Sequence, residues 1–232
     1  MAQIMTVAQN TATSVAATGL RRHQIRRAAV LVPSPRATPL ATATVMVLLA
    51  SAVLLHTHPS DVGGVVAWAS TNVHNLANHP VAAMLVSAFV VQGSVFPSLV
   101  VVGVGLAVLE RRLGPLRTIV VAFSGQVIAS LLTEYGADLG AQLHLLTESS
   151  AERPDVGVSY VMYSVLAASV LLLNGRARVI GLAVLSADVL TALLITRDMT
   201  TTGHVLSVAI GAATMAAVMS RANSRANVAL RG

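Results

Sequence analysis

The chain is 232 residues long, 55% of them hydrophobic and only 10% charged, with a formal net charge of +6. Soluble domains carry about 25% charged residues, so a globule clothed in polar surface is excluded, and the mean hydropathy of +0.75 points to a multi-pass membrane protein. Cysteine is absent, which excludes disulfides and thiolate metal sites; all the basic residues are arginines scattered along the chain, which argues against nucleic acid as a partner.

Residues 1–39 are mixed and polar and are expected to form a disordered cytoplasmic tail. Arginines 21, 22, 26 and 27 form a basic cluster, but the apolar run begins only at Leu40. That separation suits a first membrane helix better than a cleaved signal peptide. Six runs approach the roughly 20 residues needed to cross a bilayer. They are Leu40–His56, a stretch within Val81–Leu109, Thr118–Thr133, Val156–Leu173, Val179–Thr196 and Gly203–Ser220. Gln92, Gly93, Ser94 and Pro97 interrupt the second, so Val81–Val91 reads as a separate interfacial or re-entrant piece before a helix at Val95–Leu109. Residues 221–232 form a second cytoplasmic tail, and 40–220 a single all-α, six-helix membrane domain.

Loop charge sets the orientation. Thirteen arginines fall on one side of these spans; the other holds only Arg153 and Arg197 beside seven acidic residues. The positive-inside rule then predicts both ends in the cytoplasm of a cell-membrane protein. The acidic outer loop Tyr135–Asp155 reads as a solvated cap.

Few polar residues remain inside the spans: Ser159, His204, Asp188, Gln126 and scattered hydroxyls. Ser159 stands at the outer entrance of the fourth span behind Gly157, which lets a neighbouring backbone approach closely, and His204 opens the sixth span from the same side. A serine hydroxyl becomes a nucleophile only when a base within hydrogen-bond reach takes its proton, so a Ser–His pair at one depth is a candidate site. Each residue alone also has a structural reading, Ser159 as small-residue packing and His204 as an interfacial side chain. Asp188, mid-span in the fifth helix, either bonds a neighbouring helix or serves a proton or ion path. Gly103 and Gly105 lie within an apolar span and indicate helix packing, and no metal site or cofactor is expected.

These residues resemble the rhomboid intramembrane serine proteases. Gly157-Val158-Ser159-Tyr160, followed by Tyr163, resembles the motif of the fourth core helix in that family; His204 through Ser207 to Gly211 resembles the sixth-helix pattern. Glu110-Arg111-Arg112-Leu113-Gly114 is similar to the end of the second helix, and Leu85–Phe89 to the loop that lies sideways in the membrane. The resemblance implies a Ser159 nucleophile, a His204 base, and cleavage of membrane-embedded polypeptides, with transmembrane segments of other proteins and the lipid bilayer as partners. It also exposes departures. The family's oxyanion-stabilising histidine and asparagine fall at Ser94 and Ser98, and its glycines after the serine and three after the histidine at Tyr160 and Ser207. Loss of one oxyanion donor elsewhere costs about 10²–10³ in rate. An inactive relative that binds transmembrane segments without cutting them is therefore the alternative. A third reading is a small transporter built around Asp188, though no inverted repeat supports it.

Overall fold

A computed structural model describes residues 32–91, 94–147 and 154–229. The described residues form helices: α1 Pro39–Thr57, α2 Val62–Ala69, α3 Val73–Asn78, α4 Pro80–Ser87, α5 Val95–Leu113, α6 Pro115–Gln142, α7 Ser159–Leu171, α8 Gly175–Thr196 and α9 Met199–Ala229. The expected disorder of the N-terminal tail falls almost wholly on residues outside that description.

The six expected spans divide into two groups. α1, α6, α8 and α9 are each long and apolar enough to cross a membrane. α5 reaches 19 residues, but its last turns carry Glu110, Arg111 and Arg112. α7 has only 13 residues, which gives about 20 Å of helix against a hydrocarbon core of about 30 Å. The described residues hold nine helices, three more than the six expected spans, because the first outer segment folds into the short α2, α3 and α4. The outer loop beginning at Tyr135 is also corrected: α6 continues through Tyr135 to Gln142, burying Glu134 and Ala137 on its packed face. The predicted break in the second run is present, with α4 ending at Ser87 and α5 starting at Val95.

Many residues facing away from the bundle are large and apolar. Met46, Val53 and Leu54 on α1, and Val179, Ile180, Val184, Leu194 and Ile195 on α8, are all largely exposed. Such a belt is stable against lipid tails and not against water. Inside, α9 packs most extensively on α6 and α7, while α1 packs on α5. Small residues permit these approaches. A Cβ on Gly103 would lie 2.8 Å from Val45 of α1, and one on Gly105 would collide with Val165 of α7. Both glycines are therefore packing residues, as their place in an apolar span predicts.

The helix ends follow local chemistry. Gly114, at φ 79°, closes α5, and Pro115 opens α6 at a position where its missing N–H is not needed. Glu110, 4% exposed, reaches from the end of α5 to the start of α1. Its two carboxylate oxygens accept hydrogen bonds from Leu40 N at 3.0 Å and Ala41 N at 2.9 Å. The N-terminal amides of α1, which lack partners in their own helix, are satisfied in this way by a charge suited to that end of the dipole. At the other face, Asp198 caps α9 by accepting from Thr201 N at 2.7 Å.

Candidate active site

The segment before α7 is strapped to the first outer segment. Thr71 N donates to Asp155 O at 2.9 Å, Asp155 N donates to the Ser70 hydroxyl at 2.9 Å, and Gly157 N donates to Ser87 O at 3.0 Å. Gly157 has φ 145°, a conformation that a side chain strains. The reason for glycine here differs from the one expected. Its surroundings are no closer than 3.9 Å to an added Cβ, so backbone geometry and not a close approach requires it.

This strap delivers Ser159 as the first residue of α7. The half-buried serine lines a narrow crevice with Thr71, Gln126, Asp155 and Tyr160. Gln126 projects from α6 and is 2% exposed. Its Nε2 donates to Ser87 Oγ at 3.2 Å, while its Oε1 is buried with no partner among the described residues. Hydrogen bonds thus join Gln126, Ser87 and Gly157, and Gln126 and Gly157 line the crevice with Ser159.

His204 lies inside α9, five residues past its first residue, rather than at its start. The imidazole rests against two rings of α7: Tyr163 at 4.5 Å between centroids, and Tyr160 at 5.7 Å edge-on. Ser159 and Tyr163 are four residues apart on one helix and so share a face. The ring on which His204 packs thus belongs to a residue one helical turn from the serine. The Nε2 of His204 is buried with no hydrogen-bond partner, and no hydrogen bond joins it to Ser159 among the described residues.

The distance between α7 and α9 is set by small residues. A Cβ on Gly211 would lie 2.5 Å from Ser164 Oγ and 2.6 Å from its Cα, and a Cβ on Gly125 of α6 would lie 2.5 Å from Ser164 Cβ. Ser164 is therefore wedged between two glycines, with its hydroxyl donating to Val121 O at 2.7 Å. Tyr160 borders the crevice beside Ser159, and its ring turns onto the facing helix. Its ring is 3% exposed and fills the space over Gly203, where a Cβ would collide with it. Ser207 is fully buried, its hydroxyl without a partner among the described residues.

The remaining sequence candidates divide. Ser94 is the exposed residue before α5 and makes no capping bond. Ser98 donates its hydroxyl to Ser94 O at 3.1 Å, and neither serine lines the crevice around Ser159. Asp188 of α8 accepts the Tyr163 hydroxyl hydrogen at 2.8 Å. Thr71 and Asp155 escaped the sequence reading because they lie 84 residues apart and carry no motif.

A family model described as "Rhomboid-like protein" matches residues 36–224, more than half of the chain. The chain belongs to the rhomboid-like family. No curated protein and no solved structure matches it. The matched region of this rhomboid-like protein contains every helix from α1 through most of α9, and with them Ser159, Tyr163, Asp188 and His204.

Proposed function

We propose that this rhomboid-like protein is an intramembrane serine endopeptidase that cleaves membrane-embedded polypeptides with Ser159 and His204. The observation that carries the reading is the buried, unpartnered Nε2 of His204, on a ring that packs against Tyr163 one helical turn from Ser159. A neutral imidazole nitrogen without a partner is a base in waiting.

In the proposed reaction Ser159 Oγ adds to the scissile carbonyl carbon while His204 takes its proton. The tetrahedral adduct collapses, the C–N bond breaks, and the leaving amine receives that proton. Water then attacks the acyl ester, again with His204 accepting a proton, and Ser159 is regenerated. Ser159 N–H opens α7, so it has no acceptor within its own helix and is available to a developing oxyanion. The proposed arrangement is six spans in the cell membrane with both chain ends cytoplasmic, supported by the thirteen arginines on that side.

A second reading is a non-cleaving member that binds transmembrane segments. Two observations favour it: Ser159 and His204 share no hydrogen bond among the described residues, and the Ser98 hydroxyl is turned onto its own helix. A fluorophosphonate probe separates the two. Labelling that Ser159→Ala and His204→Ala both abolish supports the protease; labelling that persists in Ser159→Ala sinks the dyad. A wild-type chain that resists the probe while co-purifying with partner helices supports the binder.

A further inference from the structure

Asp188 is the one acid of α8, a helix long and apolar enough to cross a membrane, and it stands exposed on the outside of the bundle. A carboxylate at such depth is expensive, and persists where a polar partner gives it a task. Its partner is the Tyr163 hydroxyl, which donates to Oδ2 at 2.8 Å across 25 residues of sequence. That same tyrosine ring carries the imidazole of His204 at 4.5 Å, with the planes inclined by 38°. Three helices thus meet in one line of contact: α8 through Asp188, α7 through Tyr163, and α9 through His204.

We infer that Asp188 is a positioning residue of the site, which fixes the Tyr163 ring and through it the orientation of the His204 base; the inference rests on the Ser159–His204 reading. The physical reason is the freedom that the bond removes. A tyrosine can occupy alternative staggered χ1 wells, and a hydrogen bond at its hydroxyl, which lies on the ring axis, holds that axis in one of them. His204 has no hydrogen bond from a neighbouring residue to Nε2 to hold it. Its orientation is therefore set by the rings it packs on, and Tyr160 is already locked over Gly203. Tyr163 is the adjustable wall, and Asp188 its anchor. An error of about 1 Å in a base is enough to cost about 10²-fold in rate. Purely structural gluing of α8 to α7 would instead affect stability and leave the chemical step alone.

The test uses the full chain in detergent micelles and a fluorophosphonate probe, resolving the maximal labelling rate of Ser159 from the concentration at half-maximal rate. Asp188→Leu and Tyr163→Phe should each lower the maximal rate by about 10–100-fold, with the half-maximal concentration little changed. Asp188→Asn, which keeps an acceptor oxygen, should retain most of the rate. The double variant Asp188→Leu/Tyr163→Phe should fall no further than either single change, because both remove one bond. Wild-type rates in Asp188→Leu overturn the inference, as do losses that multiply in the double variant. If Asp188→Leu does not fold, Tyr163→Phe, which keeps the ring, carries the test: an unchanged rate there overturns it. Absence of labelling in the wild-type chain removes the protease reading and this inference together, whereas a labelled wild type with indifferent variants removes the inference alone.

Discussion

The ring of Tyr160 covers the Cα of Gly203, filling the space that a side chain at position 203 would need. The glycine that the rhomboid motif places after its serine has, in this chain, become a tyrosine, and a glycine on the facing helix receives it. Gly203→Ala should therefore lower the thermal unfolding midpoint, at an energetic cost of about 1–3 kcal/mol. In a Tyr160→Gly background the same change should be close to neutral. An equal loss in both backgrounds would show that the two residues are not coupled.

Gly211 gives a second and larger steric prediction. Its added Cβ would meet the backbone of Ser164, which cannot rotate away. Gly211→Ala should destabilise the bundle by about 2 kcal/mol or more and suppress fluorophosphonate labelling by parting α7 from α9. Gly136→Ala is the control: nothing lies within 4 Å of that position, toward the C-terminal end of α6, and alanine there should be neutral or stabilising by up to about 1 kcal/mol. Matching effects at 211 and 136 would count against close packing as the cause.

At Gly157 the prediction rests on backbone conformation. With φ at 145°, Gly157→Ala should introduce strain of about 1–3 kcal/mol and disturb the strap to Ser87. Probe labelling of Ser159 should fall together with the midpoint of unfolding. Wild-type labelling in Gly157→Ala would mean that the strap does not position the serine.

Glu110 links sequence-distant helix ends, and its role is measurable without any activity. Glu110→Gln keeps the shape but sets an NH2 donor where one acceptor oxygen stood, so one of the two hydrogen bonds from the α1 amides is lost and the other loses its charge, which should cost about 1–2 kcal/mol in thermal unfolding. Glu110→Ala removes both and should cost more. Indistinguishable midpoints for the wild type and Glu110→Ala would show that the cap is not stabilising.

Ser94 and Ser98 separate the motif-based expectation from the geometry. Were they the oxyanion donors, their removal would cost about 10²–10³ in rate. Because Ser98 bonds its own helix and Ser94 is exposed, Ser94→Ala/Ser98→Ala should keep the labelling rate within about threefold of wild type. A loss of a hundredfold would restore the serines to the site.

The sequence by itself determined a good deal. Apolar runs located α1, α6, α8 and α9, since a helix in lipid must satisfy its backbone internally and announce itself by composition. Glu110–Gly114 marked the end of a helix by its likeness to the family pattern, and α5 does end there. Gly157 was legible too, although the sequence suggested close packing and the structure showed φ. Tertiary structure decided the rest. α2 and α3 were illegible because short helices have no span-length signal, and α6 ran on past Glu134 because its packed face buries that acid among neighbouring helices. Ser159 and His204 were legible as residue types and order, but their relation was not: no spacing rule says that His204 lies on Tyr163, or that Tyr163 is held by Asp188. Those contacts join three helices, and their distances follow from where Gly125, Gly203 and Gly211 let the backbones meet. One-dimensional periodicity carries depth in a membrane and the direction of a face; which faces meet is a property of the packed bundle.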